Sequence, residues 1–142
     1  MLDYRFIVEN LGAVKKNIAD RYMKADADAV AKLFARRAEL TTALQGLQQQ
    51  RNANAAAMKG KMDEAGRAAL VDEGKKLKES IAAAEAELSR TEAELDSEAR
   101  KIPNMAHPDA PIGKEDKDNL EVKRVGEPAK FDFEPQDHVK LG

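Results

Sequence analysis

The chain has 142 residues, of which 42% are hydrophobic, 35% charged and only 4% aromatic, with no cysteine and a formal net charge of −2. This length fits one modest domain. The few aromatic residues argue against the wide interior of an ordinary enzyme fold, whereas abundant Ala, Leu, Glu, Lys and Arg are typical of long helices or coiled coils. Without cysteine, a disulfide scaffold and a thiolate site are both excluded.

No run of about 18 apolar residues is present, so no membrane span is expected. The opening residues also lack the basic flank and apolar stretch of a signal peptide. We therefore expect a cytoplasmic protein.

Residues 1–23 form the first predicted unit. Apolar side chains recur there at close to the period of an amphipathic helix, and Asp3 and Asn10 are both suitable N-caps. The pattern predicts two short helices with a kink near Asn10. Because this unit has one apolar stripe and no partner of its own, we expect it to pack against the rest of the chain.

Residues 26–60 and 63–102 are predicted to form two long helices. No proline interrupts them, and Gly60 and Asp63 suit a helix end and the N-cap of the next helix. Each helix carries a heptad seam. The seam of the first helix contains Val30, Leu33, Arg37, Leu40, Leu44, Leu47, Arg51, Asn54 and Met58, and that of the second contains Leu70, Gly74, Leu77, Ile81, Ala84, Leu88, Thr91, Leu95, Glu98 and Ile102.

The short connection makes these helices antiparallel, with partner numbers that sum to about 124. This register places Arg51 opposite Glu73 and Arg37 opposite Glu87, so the four charged residues are predicted to form two ion pairs in the seam. The helices should form a rod roughly 50 to 60 Å long.

Residues 103–142 have a different character, since all five prolines lie in them. Pro103 should end the second long helix. Leu120 to Val125 alternate apolar and charged residues, which predicts a strand, and residues 131–141 repeat the pattern weakly. The predicted fold is therefore mainly α: a long antiparallel two-helix coiled coil with a short N-terminal helical unit and a short C-terminal β segment. We interpret the chain as the front end of a longer protein, with residues 1–102 as the helical arm domain and 103–142 as a linker and the first strand or strands of a further domain.

The charges are unevenly distributed along the chain. Residues 36–78, around the turn, hold nine basic and five acidic residues, whereas residues 79–101 hold three and seven. A polyanion should bind the basic part and avoid the acidic part. The candidate RNA-binding residues are Arg36, Lys59, Lys61, Arg67, Lys75, Lys76 and Lys78. Arg37 and Arg51 are discounted because of their predicted ion pairs. An equally simple interpretation is that these lysines keep the arm soluble.

Catalysis within these residues is not expected. The glycines form no phosphate-binding loop, no nucleophile has its flanking signature, and the two histidines lie 31 residues apart. We therefore predict no catalytic residue and no metal ligand.

Several motifs resemble the seryl-tRNA synthetase family. They begin with Leu2 to Asn10, Arg51-Asn52 and Ile102-Pro103-Asn104, and continue through Pro111-Ile112-Gly113, Asp118 to Val122, Gly126-Glu127-Pro128, Phe131 to Pro135 and Asp137 to Gly142. The motifs keep the family's order and cover the whole chain. Small departures occur at Ala110, where the family often has Val, and at Val125, where an aromatic residue is common.

The resemblance implies an N-terminal tRNA-binding arm that holds the long variable arm and elbow of serine tRNA, and possibly of selenocysteine tRNA. It implies a homodimeric class II parent enzyme that uses ATP and Mg²⁺, whose three catalytic motifs are absent from these residues, so that this part alone would not aminoacylate. DNA and membrane partners are not implied. The alternative hypothesis is a structural or chaperone-like helical hairpin that binds proteins.

Overall fold

The computed structural model describes residues 1–60 and 63–141. Their main elements are α1 (Tyr4–Glu9), α2 (Leu11–Asp20), α3 (Ala27–Ala57) and α4 (Glu64–Lys101), followed by a short 3-10 turn at Asp116–Asp118 and α5 (His138–Leu141). The long helices α3 and α4 pack against each other along their length. The predicted helical hairpin is therefore confirmed.

The N-terminal helices begin and end where polar side chains satisfy the backbone. The Asp3 side chain accepts hydrogen bonds from the backbone N–H groups of Arg5 and Phe6, at 2.8 and 3.2 Å. The break between α1 and α2 falls at Asn10, as predicted, but the Asn10 side chain makes no cap hydrogen bond to α2. It donates to the carbonyl of Phe6 in α1 instead, so Asn10 stabilises the end of one helix rather than the start of the next.

The long helices have comparable end structures. Asp26 caps α3 through the N–H of Ala29, and Asp63 caps α4 through the N–H of Gly66. The prediction that Gly60 ends α3 is slightly wrong, since the C-cap is Met58 in a right-handed helical conformation. At its other end α4 stops before Ile102, whose extended backbone is the conformation that a following proline favours.

The heptad pattern predicts which residues lie between the two long helices. Every residue of the predicted seam in α4 is buried or half-buried, as is every one in α3 except Arg51. The coiled-coil periodicity is therefore real, and Arg51 is its one departure.

The main hydrophobic core lies at the base of the hairpin. Ile7, Val14 and Ile18 of the N-terminal helices pack against Val30 of α3 and Leu95 of α4, all of them at most 7% exposed. The expectation that the N-terminal unit packs against the hairpin is thus confirmed.

The predicted β segment is not found. Neither residues 120–125 nor residues 131–141 form a strand in the part of the chain that the structure describes. Leu120, Val122 and Val125 are between 73% and 91% exposed, and no neighbouring strand pairs with them. The alternating pattern supplies one face of a strand, but a strand also needs partners for its backbone hydrogen bonds.

Candidate nucleic-acid interface

Two neighbouring arginines of α3, nearer the base of the hairpin than the turn, form ion pairs. Arg36 donates to Glu87 at 2.6 Å and to Glu39 at 3.1 Å, and Arg37 donates to Glu92 at 2.9 Å. The hydrogen bonds with Glu87, and then with Glu39, raise the pKa of Arg36 above its ordinary value. Arg36 therefore faces the acidic half of α4 rather than presenting a free charge to a polyanion.

The predicted pair between Arg37 and Glu87 is wrong. Arg37 points into the seam and its guanidinium reaches Glu92, more than one turn closer to the base than Glu87. Arg36 is rotated by about 100° from Arg37 around the helix, which turns it toward Glu87. Such long side chains reach carboxylates on several turns, so the helix register alone does not decide which pair forms.

The predicted pair between Arg51 and Glu73 is also wrong. Asn54 takes that carboxylate: its Nδ2 donates to Glu73 Oε2 and to the carbonyl of Leu70, both at 3.1 Å. Asn54 is only 8% exposed and lies against Gly74, where the missing side chain leaves room for it. Arg51 is exposed and forms no ion pair with any carboxylate of residues 1–60 and 63–141.

The distal arm, defined as residues 51–60 and 63–78, carries several exposed cations. Lys59 on the turn side of α3 and Arg67, Lys75 and Lys78 on α4 are all exposed. No carboxylate among the described residues lies within ion-pair distance of these four. At about 100° per residue, Arg67 and Lys78 project within about 20° of each other, and Lys75 within about 80° of Arg67. These three therefore share one side of α4.

Lys76 differs from its neighbours. It points roughly 160° away from Lys78 and forms an ion pair of 2.7 Å with Asp72, one turn earlier. That contact raises the pKa of Lys76 and lowers the pKa of Asp72. Lys61, the remaining predicted RNA-binding residue, lies outside the described residues.

The distal arm has exposed cations but no aromatic ring on which a base could stack. Its sequence contains no Phe, Tyr or Trp, and Phe34 lies at the base, where its ring is 6.4 Å from that of Tyr4. Exposed cations on a narrow rod are suited to contacts with phosphates. Such contacts position a nucleic acid without reading its bases.

The sequence discounts Arg51 as an RNA-binding residue because of its predicted ion pair with Glu73. That pair does not form, so Arg51 becomes a candidate RNA-binding residue. The informative signal was Asn54 in the seam close to Gly74. A buried amide needs hydrogen-bond partners more strongly than an exposed guanidinium does, because the guanidinium can be solvated. Asn54 therefore forms the hydrogen bond with Glu73, and Arg51 stays exposed to solvent, like the other cations of the distal arm.

The described residues show neither a membrane-spanning helix nor a cluster of metal ligands. None of the helices is both long and apolar enough to cross a membrane. Across residues 1–60 and 63–141, His, Asp and Glu side chains nowhere form a group of three or more that could hold a metal ion.

Comparison with known proteins gives a consistent result. A family model described as "Seryl-tRNA synthetase N-terminal domain" matches residues 1–106. The chain is 58% identical over its whole length to a serine–tRNA ligase of Treponema denticola and 47% identical to one of Rubrobacter xylanophilus, and it spans 34% of each. It thus covers about a third of the length of the curated relatives it matches.

A solved structure has the same fold. It is the seryl-tRNA synthetase of Pyrococcus horikoshii complexed with ATP, which superimposes with a TM-score of 0.70 over 84% of this chain and 28% of its own, at 24% identity. At that identity the likeness concerns the fold alone.

Proposed function

The chain belongs to the family of the seryl-tRNA synthetase N-terminal domain, and from this we propose that its hairpin is the tRNA-binding arm of a serine–tRNA ligase. The arm holds the long variable arm and elbow of serine tRNA by contacts to the phosphate backbone. The observation that carries the proposal is the group of unpaired cations on the distal arm: Arg51, Lys59, Arg67, Lys75 and Lys78.

The division of charge along the hairpin supports this placement. Toward the base, Arg36 and Arg37 are paired with carboxylates of α4, so the excess acidic charge there repels phosphates. Farther out the cations are exposed, and binding of a polyanion would release its counterions. An RNA duplex is therefore attracted to the distal arm and kept from the base.

The wider proposal concerns the parent enzyme. We propose that residues 1–102 are the arm domain and that residues 103–142 lead into a catalytic domain of a cytoplasmic homodimer. The parent enzyme would use ATP and Mg²⁺ to attach serine to the 3′ end of serine tRNA, and to selenocysteine tRNA where that exists. We assign both ATP and Mg²⁺ to that catalytic domain and not to the arm.

The alternative, a chaperone-like hairpin that binds proteins, gains no support from the family. The exposed surface of the distal arm is rich in charge, and its larger apolar side chains Met58, Leu70 and Leu77 are buried or half-buried, while Val71 is exposed on its own. A protein-binding hairpin would instead present a contiguous apolar patch.

A binding assay tests the proposal. Purified chain is titrated in gel shifts against a tRNA with a long variable arm and against one with a short variable loop, at several salt concentrations. We expect tighter binding to the first, with an affinity that falls steeply as salt rises. Equal binding of the two tRNAs would reject specific recognition, and affinity independent of salt would reject phosphate contacts.

A further inference from the structure

Asn54 is the one polar side chain with an amide buried in the seam of the hairpin as far as the structure describes it. Of the two seam positions that carry buried polar residues, Thr91 lies near the base and Asn54 in the distal arm. The neighbouring seam residues Leu47, Met58 and Leu70 are apolar, so their side chains make no directional bonds. The axial register of the distal arm therefore depends on few specific contacts.

The contacts of Asn54 are specific in both position and direction. Its Nδ2 donates to the Leu70 carbonyl and to Glu73 Oε2, while its Oδ1 lies where a Cβ on residue 74 would be 3.3 Å away. A side chain at residue 74 would force the amide to shift by a few tenths of an ångström, whereas glycine leaves the space open. If α4 slid by one turn, Asn54 would lose the Glu73 carboxylate and would meet a side chain in place of Gly74.

We propose that Asn54 is a positioning residue that sets the axial register of α3 against α4 and so sets the spacing of the RNA-binding cations. A polar residue at a single seam position is known to specify register in coiled coils at some cost in stability. In this hairpin the register also determines the relative positions of exposed charges, because the cations of the distal arm come from both helices. Arg51 and Lys59 belong to α3 and its end, and Arg67, Lys75 and Lys78 to α4.

A change in register would alter the pattern of charge that a nucleic acid meets. Sliding α4 by one turn moves its three cations by about 5.4 Å relative to Arg51. The number of positive charges would stay the same, but their spacing would no longer match the same set of phosphates. This part of the proposal rests on the proposed function, whereas the role of Asn54 in setting the register does not.

The test separates register from stability. The chain has no cysteine, so Ala35→Cys and Ala68→Cys, at exposed sites on α3 and α4, attach one spin label to each helix. Pulsed electron paramagnetic resonance then measures the distance between the labels, which lie far apart along the rod and so report axial sliding. The distances are recorded in the otherwise unchanged chain and in the Asn54→Leu variant, with Asn54→Ala as a second variant and circular dichroism to check helicity.

We expect Asn54→Leu to keep or raise the melting temperature, because leucine suits a seam position. The single distance should broaden or gain a second population displaced by about 5.4 Å, one helical turn. Affinity for a long-variable-arm tRNA should fall by about tenfold, the loss expected from a few misplaced phosphate contacts. As a control, Leu44→Ala removes a half-buried seam side chain and should lower the melting temperature without moving the distance.

Each outcome decides one part of the proposal. An unchanged distance in both Asn54 variants would overturn the role of Asn54 in setting the register. A shifted distance with unchanged affinity would overturn its role in positioning the cations. Failure of the unchanged chain to bind the tRNA would reject the proposed function, and the distances would still decide the register.

Discussion

The cations of the distal arm differ in whether a carboxylate lies within ion-pair distance of them. Lys76 is held by Asp72 on the same helix, while Lys75 and Lys78 have no such partner among the described residues. An exposed pair of this kind contributes little to stability. It does lower the positive charge that a phosphate meets at this point on α4.

Removing the carboxylate should therefore strengthen RNA binding. We expect Asp72→Asn to raise affinity for the long-variable-arm tRNA and to steepen the plot of log affinity against log salt by about one. Gel shifts over a salt series measure both quantities, with Asp109→Asn, an exposed acidic residue beyond the hairpin, as the matched control. Weaker binding by Asp72→Asn would place the RNA elsewhere.

The same ion pair predicts a dependence on pH. Because Lys76 lowers the pKa of Asp72, the carboxylate stays ionised at a pH where an ordinary aspartic acid is partly protonated. The small stabilisation from the pair is present above the ordinary Asp pKa and is lost only as the pH falls through the lowered value in the folded chain. Carboxyl chemical shifts followed by NMR should show Asp72 titrating below the ordinary pKa of an aspartic acid, and titration at or above that value would contradict the contact.

Arg51 and Arg36 provide a direct comparison of a free and a paired arginine. Arg51→Ala should weaken binding to the long-variable-arm tRNA and reduce the salt slope by about one. Arg36→Ala should leave the slope unchanged, because Glu87 and Glu39 already neutralise that guanidinium. The two variants are matched in residue type, and equal effects on the slope would contradict the assignment.

These arginines also show where prediction from sequence succeeds and fails. Heptad spacing identified the apolar residues of the seam correctly, because the burial of an apolar side chain depends mainly on the helix face that carries it. It did not identify the partners of Arg36, Arg37 and Arg51, because each can reach carboxylates on several turns. For Arg51 the outcome depends on Asn54, which is buried and donates a hydrogen bond to the Glu73 carboxylate.

At the scale of the helices, packing is concentrated near the base of the hairpin. Leu95 is 1% exposed in a core that the N-terminal helices cover, whereas Leu47 is only half-buried between two helices. Two helices alone leave Leu40, Leu77 and Ile81 with 6 to 7% exposure, whereas side chains in contact with a third element at the base reach 0 to 1%. The N-terminal helices provide that element at the base.

Truncating these two leucines should therefore have unequal effects. We expect Leu95→Ala to lower the free energy of unfolding by about 2–5 kcal/mol, and Leu47→Ala to lower it by less than half as much. Urea titration followed by circular dichroism measures both, with the exposed Ala68→Gly as a control for helix propensity alone. Equal losses would mean that the hairpin packs uniformly along its length.

The missing strand belongs to the same scale. Leu120 to Val125 have the alternation of a half-buried strand, and that pattern is present whether or not a sheet is available. A helix satisfies its own hydrogen bonds, so its sequence signal is nearly sufficient, whereas a strand depends on residues elsewhere. This difference explains why the helices were predicted with their approximate limits and the strand was not formed.

For the whole molecule, two side chains, Asn17 and Arg21, hold the junction between the N-terminal unit and the segment after α4. Asn17 is 6% exposed; its Oδ1 accepts from the N–H of Ala106 at 2.9 Å, and its Nδ2 donates to the carbonyl of Asn104 at 3.3 Å. Arg21 donates to the same Asn104 carbonyl at 2.8 Å. The chain after Pro103 is thereby fixed against α2.

Removing the Asn17 amide should loosen this junction. We expect Asn17→Ala to lower the free energy of unfolding by about 1–3 kcal/mol, because it removes the hydrogen bonds that this buried amide makes with the backbone of Asn104 and Ala106, and to increase cleavage of residues 103–110 in limited proteolysis. Asn17→Asp keeps the acceptor for Ala106 and should have an intermediate effect on cleavage. Unchanged cleavage in both variants would show that other contacts hold the segment.

The position of Asn17 has a geometric consequence for the other end of the molecule. The 31 residues of α3 make a lever about 46 Å long, and its fulcrum is the base where α2, the start of α3 and the segment after Pro103 meet. A rotation of about 10° at that fulcrum moves the tip by about 8 Å, more than one helical turn. The direction of the arm relative to the segment after Pro103 is therefore set at the end of the rod farthest from its cations, by the hydrophobic core of the base and the hydrogen bonds of Asn17.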